Sequence, residues 1–226
     1  MSARRTHSTA TIRRRHRAPP GLPTLETSRA RIHLAALQLF ARYGYDGTSL
    51  QMIADAVGLH KSTLFHHYRG KLDVAAEAFE AATARVADCI RPLAAEVAPT
   101  LEGCFAVSDA LVDHFSEEPE AARMIVWMMT APRDSDLNLH IGRAKAHPVV
   151  RIFTTLWAWI DRARRAGVIR PVNIRQTIFN LVGLVVFYPA AAEARELSGD
   201  EPFSAKARRI RKEELRLALR GMLEPR

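Results

Sequence analysis

Apolar positions recur at helical spacing along almost the whole chain beyond residue 25, and Gly and Pro cut the pattern into segments. From about Thr27 to Tyr43, the residues Ile32, Ala35, Ala36, Leu39, Phe40 and Tyr43 fall on one helical face, and Gly44 ends the run. A first, scaffolding helix is predicted there. Thr48 and Gln51 have the spacing of a capping box, so a second helix is expected to begin at Thr48, turn Ile53, Ala54 and Val57 inward, and stop at Gly58, which suits a tight turn. A third, short helix from His60 carries Lys61, Ser62, Thr63, Leu64 and Phe65, with Leu59, Leu64 and Phe65 as apolar anchors and polar side chains opposite. After Gly70, the spacing of Leu72, Val74, Ala75, Ala78, Phe79, Ala82 and Val86 predicts a fourth helix to about Ile90, broken or kinked by Pro92. Further helices are predicted over about 99–115, 119–130, 146–166, 173–196 and 204–223, with a loop at 132–136. Pro119 suits a first helical turn. No strand-like alternation of useful length and no internal repeat is visible, so the fold class is all-α.

Two helices joined by a short turn containing Gly, the second thin and polar on one side, form the outline of a major-groove reader. The charge distribution agrees. The net charge is +9, of which residues 1–25 hold +6 (Arg4, Arg5, Arg13, Arg14, Arg15 and Arg17, with no acid). Residues 26–71 hold +3, and the rest is neutral. All the excess lies where a polyanion would be met. Residues 1–24 end in Pro19-Pro20-Gly21-Leu22-Pro23 and are too polar and broken to fold alone, so a disordered basic arm is expected. Its arginines either follow phosphates or an adjacent minor groove, or form a passive tail.

Residues 29–79 carry Ile32, Ala35-Ala36, Leu39-Phe40, Gly44-Tyr45, Thr48, Ile53-Ala54, Gly58, Thr63-Leu64, His67-Tyr68, Lys71 and Leu72. This pattern resembles the DNA-binding domain of the TetR family of bacterial transcriptional regulators. The resemblance implies DNA contacts by Thr48, by Lys61, Ser62, Thr63 and His66, by His67 and Tyr68, and by Lys71. Two positions depart from the family pattern: His60 stands where Ser often caps the recognition helix, and Phe65 replaces a frequent Tyr. His60 is a poor cap, and Phe65, unable to donate to phosphate, is assigned to the core. The implied organisation is a basic arm (1–24), a three-helix helix-turn-helix domain (25–71) and a helical ligand-binding and dimerisation domain (72–226).

In that family the two long penultimate helices form a four-helix dimer interface, and the preceding helices enclose a ligand pocket. The stretch from His147 to Ala194 resembles the interface pair. Its apolar content points the same way, because Ile178, Phe179, Leu181, Val182, Leu184, Val185 and Val186 leave a helix apolar nearly all round, which needs burial on every side. Phe105, Phe115, Met124, Trp127, Met128, Phe153 and Trp157 stand where the family keeps its cavity, and large adaptable side chains suit an apolar ligand. The competing reading is ordinary core. Asp109, Asp113 and His114 are candidates for its polar end or for a solvated face.

Other chemistries find little support. Cys89 and Cys104 are the only cysteines, and the Arg4-Arg5 pair lacks the apolar stretch of an export signal, so a reducing cytoplasm is expected. The apolar run 178–192, interrupted by Asn180 and Pro189, is shorter than the ~20 residues that span a bilayer and is read as a buried helix. His140 and His147 with either cysteine lack metal-ligand spacing. No phosphate loop, nucleophile elbow or paired carboxylates stand out, so neither catalysis nor a cofactor is expected. The resulting expectation is a homodimeric regulator of a DNA operator, responsive to a small apolar or amphipathic effector. The alternatives are a helical small-molecule carrier and a sequence-tolerant DNA-coating protein.

Overall fold

The computed structural model describes residues 25–95, 98–131, 147–192 and 201–225. The expected arm at 1–24, the loop at 132–136 and His140 lie outside the described residues. The helices are α1 (Leu25–Gly47), α2 (Leu50–Val57), α3 (Lys61–His67), α4 (Lys71–Ala95), α5 (Leu101–Glu117), α6 (Pro119–Thr130), α7 (Pro148–Arg165), α8 (Ile174–Ala191) and α9 (Ala205–Leu223). No strand occurs among the described residues. The fold is all-α, with an N-terminal helix-turn-helix and a C-terminal helical body.

The head is built from α1, α2, α3 and the start of α4. Gly44 interrupts α1 at φ 74°, a left-handed angle open to glycine at little cost. The buried face of α1 is rotated from the predicted one: Leu37 is buried, Leu39 is half-buried and Tyr43 is exposed. The reason is tertiary, since α1 packs against α2, α4 and α6 at once, which widens its buried arc. The capping box is also corrected. Ser49, not Thr48, caps α2, its Oγ accepting from the Met52 N–H at 3.2 Å. Gln51 instead donates to Asp55 Oδ1 at 2.7 Å. Thr48 is 2% exposed and donates its hydroxyl to the Gly44 carbonyl at 2.8 Å, fastening the link to α1 across the kink. The turn after α2 forms at Gly58, with φ 71°.

One continuous core runs from the head into the body. Ile32 and Phe40, Ile53 and Ala54, and Leu64 meet Val74, Ala75 and Phe79 on α4, which carries the cluster on to Ile90 and Leu93. The predicted stop near Ile90 does not occur: α4 runs through Pro92 to Ala95. Pro92 faces outward, while Leu93 beside it is buried and its carbonyl accepts from Arg162 Nη2 on α7 at 2.8 Å. That contact holds the last turn in place where proline removes a helix bond.

Around α4 stand α5, α6 and α7. Side-chain caps start the outer helices: Thr100 for α5, His147 for α7, Asn173 for α8 and Ser204 for α9. Two ion pairs tie α9 to α5, Lys212 to Asp113 at 2.7 Å and Arg216 to Asp109. Both aspartates, candidates for a ligand's polar end, are engaged there instead.

Candidate nucleic-acid interface and interior cavity

The seven residues of α3 settle its orientation. Leu64 is fully buried and Tyr68, one turn on, is 3% exposed, so these two seat the helix on the head. Lys61, Ser62, Phe65 and His66 are exposed, and Thr63 and His67 are half-buried flanks. The assignment of Phe65 to the core is overturned, because its ring is 52% exposed with Lys61 Nζ 5.7 Å from its centroid. A position one residue from the buried Leu64 is turned by about 100°, and on so short a helix only one residue per turn can point inward. The i, i+4 spacing to Lys61 was the signal available in the sequence. His60 precedes α3 without a side-chain cap bond, as its chemistry suggests.

Three of the eight expected contact residues are committed within the protein. Thr48 is the buried fastener described above. Tyr68 places its hydroxyl 3.1 Å from His33 Nε2, which also lies 3.3 Å from Glu77 Oε2. Burial, helped by the Glu77 charge, pushes the phenol up to about 12. Burial lowers His33, against the pull of Glu77. This cluster pins the end of α3 to α1 and α4. Lys71, the first residue of α4, donates from Nζ to the Tyr45 carbonyl at 2.8 Å and stands 4.2 Å from the centroid of the Tyr45 ring. The remaining five, Lys61, Ser62, Thr63, His66 and His67, lie together on the outer side of α3 and its flanks.

Tyr45 is the centre of the seam between head and body. Its ring stacks on Phe40 and on Trp127 of α6, both at 5.6 Å between centroids. Trp127, expected in the ligand pocket, therefore belongs to the head–body contact.

The interior cavity is a different set from the one expected. An apolar space of about 80 Å³ is lined by Val86, Ile90 and Leu93 of α4, Cys104, Leu111 and Phe115 of α5, Ile152 and Leu156 of α7, and residues of α8 and α9. Of the seven predicted wall residues only Phe115 lines it. Phe105 is buried beside the Arg220 guanidinium, 5.3 Å from its ring, and Met124 and Met128 fill the core of α6. Phe153, half-buried against the core, and Trp157, exposed, lie with Phe179 on the outer face shared by α7 and α8. Large side chains in a helix pattern fill volume; the wall is made instead by medium-sized Val, Ile and Leu at the meeting of five helices. Cys89 is half-buried and burial raises its thiol pKa, while Cys104 is buried.

On that outer face α8 is not the fully buried helix expected from its composition. Ile178, Leu181, Val185 and Val186 pack inward, whereas Phe179 is 50% exposed and Phe187 67% exposed. Its 18 residues satisfy the length and composition of a spanning segment, yet one side is packed against α5, α6 and α7. No group of three or more His, Cys, Asp or Glu residues able to hold a metal occurs among the described residues.

Residues 32–78 match the family model described as bacterial regulatory proteins, tetR family. Over 58 residues the chain is 41% identical to the HTH-type transcriptional regulator TcmR of Streptomyces glaucescens, a match covering 25% of this chain and 26% of that relative. The fold resembles a Clostridium perfringens putative fatty acid metabolism regulator (TM-score 0.68, 14% identity, 84% of this chain and 96% of the other). It also resembles AibR in complex with isovaleryl coenzyme A and operator DNA (TM-score 0.63, 16% identity, 88% of this chain and 100% of the other).

Proposed function

Because the chain belongs to the tetR family of bacterial regulatory proteins, we propose that it is a cytoplasmic, homodimeric repressor that binds a palindromic operator and leaves it when an apolar or amphipathic effector enters the body. The observation that carries this reading is the outer side of α3: a row of polar and cationic side chains left uncovered on the second helix of a helix-turn-helix whose opposite side is seated by Leu64 and Tyr68. Lys61, Ser62, Thr63, His66 and His67 form the base- and phosphate-reading set, and the exposed Phe65 adds an apolar surface suited to a thymine methyl. Thr48, Tyr68 and Lys71 act behind them by holding α3 and the seam in place. The division between head and body falls at Lys71, and the arginine arm at 1–24 supplies sequence-tolerant affinity.

The dimer is supported by the outer face of α7 and α8, where Trp157, Phe179, Leu184 and Phe187 are left exposed. A second copy that covers it sets two α3 helices about 34–36 Å apart, one turn of DNA. The cavity of about 80 Å³ is below the few hundred Å³ of a typical preformed ligand site, so an effector has to part its walls. One wall is α4, whose first residue holds Tyr45 and through it Trp127. Displacing α4 therefore displaces the head, and release follows from the changed spacing. Linkage requires DNA to weaken the effector by the same factor, typically 1–3 kcal/mol (about 5- to 150-fold). AibR, with this fold, was solved with both kinds of partner. Selecting bound sequences from a random duplex pool with the full-length protein tests the reading: an enriched inverted repeat is expected, and absence of enrichment overturns it in favour of a carrier or a DNA-coating protein.

A further inference from the structure

A second cleft borders the interior cavity. Narrower than the first, it lies toward the C-terminal ends of α5 and α8 and shares Phe115 and Val185 with it. Its character is different. Beside Val112 and Pro189 it presents Ser116, Tyr188, Arg208 and Arg211. The Arg211 guanidinium donates to the Leu184 carbonyl and lies 4.2 Å over the Tyr188 ring. Burial lowers its pKa against the opposing influence of Tyr188, yet an arginine stays cationic under any ordinary condition.

Neither Arg208 nor Arg211 has a carboxylate partner among the described residues. Their neighbours on the same helix do: Arg209 reaches Glu213, Lys212 reaches Asp113 and Arg216 reaches Asp109. Asp109, Asp113 and Glu213 are thus engaged by cations other than the two that line the cleft; Arg208 also borders the open surface pocket beside Asp113 and Glu213, and Arg211 meets one carbonyl and one aromatic face. A half-buried guanidinium without a counter-ion is an unusual cost in the interior of a protein. An anion supplied from outside relieves it.

We propose that this cleft is the head-group seat of the effector site, so that the effector is a single-tailed amphiphile whose aliphatic chain fills the cavity and whose anionic head, a carboxylate or phosphate, sits against Arg208 and Arg211. The inference rests on the effector-responsive reading given above and adds the charge of the ligand to it. The apolar cavity selects the tail without regard to its end, and the paired guanidiniums reject a neutral head by leaving their own charge uncompensated.

The test uses the full-length protein with laurate, dodecyl phosphate and dodecanol, three probes of one tail and different heads, titrated below their critical micelle concentrations by calorimetry. Either anion is expected to bind at least ten-fold tighter than dodecanol, and which anion is tighter separates a carboxylate ligand from a phosphate one. Arg211→Gln, which keeps a donor for the Leu184 carbonyl, and Arg208→Gln are each expected to weaken the anions at least five-fold and leave dodecanol unchanged. Arg209→Gln, outside the cleft, is the control and is expected to change neither. Equal affinity for all three probes overturns the head-group seat while leaving the cavity intact as an effector site. Loss of dodecanol and anions alike in Arg211→Gln, with an unchanged melting temperature, overturns it too. Failure of every probe to bind the unaltered protein overturns the seat, while the regulator reading stands or falls separately on the enriched inverted repeat.

Discussion

The exposed faces of α3 and α8 have opposite chemistry. On α3 the uncovered side is Lys61, Ser62 and His66 around one aromatic ring, and the side turned in is only Leu64 and the following Tyr68. On α8 the inward side is Ile178, Leu181, Val185 and Val186, and the uncovered side is polar in its first turns (Arg175, Gln176, Asn180) but carries the large apolar Phe179, Leu184 and Phe187. A short polar helix seated by two anchors has the chemistry to meet a hydrated polyanion. A long helix with large apolar side chains on both sides has the chemistry to lose water on both. The difference shows that exposure by itself says little about role, because the chemistry of the exposed side chains decides which partner lowers the free energy.

The sharpest way to break this contrast is to put charge on the apolar face. The double substitution Phe179→Asp, Phe187→Asp is expected to leave the monomer folded, since both rings are exposed, but to abolish the dimer in sedimentation. Operator affinity should fall by roughly 100-fold or more, as the two heads no longer act together; a dimer that survives refutes the proposed interface. Next in size, Leu64→Ala is expected to cost about 2–5 kcal/mol in urea unfolding, the usual range for a fully buried leucine, whereas Phe65→Ala on the same helix should stay within about 0.5 kcal/mol. Similar losses at both positions would erase the distinction between the two sides of α3. Smaller again, Lys61→Ala is expected to weaken the preferred site by about 1–3 kcal/mol and relax its sequence at one position, with little effect on the dimer.

The smallest expected effect is on pH. Burial lowers the pKa of His33, His114 and His147, opposed in turn by Glu77, by Glu118 and Glu117, and by Glu80. With the folded-state values depressed, the unfolded chain takes up protons first, so stability is full above the ordinary histidine value of about 6.5 and is lost as pH falls below it. His147 adds a specific reason, because its Nδ1 accepts from the Val149 N–H at 3.2 Å and a proton there removes the cap of α7. Melting temperatures between pH 8 and 5 should therefore decline, and His147→Asn, which keeps a cap acceptor, should decline less steeply. A flat profile in the unaltered protein would show that these histidines are not held neutral.

Much of the head was legible in advance for a physical reason: its signals are local. Glycine at Gly44 and Gly58 marks left-handed turns, the apolar spacing of Ile53, Ala54 and Val57 orients α2, and His60 lacks a capping oxygen whatever surrounds it. The misreadings occurred where two chemically valid local options competed. Thr48 and Ser49 can each cap a helix, and only the kink at Gly44 gives the Thr48 hydroxyl a nearer acceptor. In the body, large aromatic and Met side chains suggested a pocket wall, but Trp127 went to the seam with Tyr45, Phe153 and Trp157 went to the outer face, and Met124 filled the core.

By itself the sequence determined that the chain is helical, where the helix-turn-helix makes its turn, and which end of the molecule is basic, because helix periodicity, glycine backbone freedom and charge are properties of neighbouring residues. Tertiary structure alone decided that Tyr68 and Lys71 serve the interior, that the cavity wall is mostly Val, Ile and Leu from five helices, and that Arg208 and Arg211 line a cleft beside it with no carboxylate partner among the described residues. Those relations join residues far apart along the chain, and which atoms lie within hydrogen-bonding or van der Waals distance is set by how the helices cross.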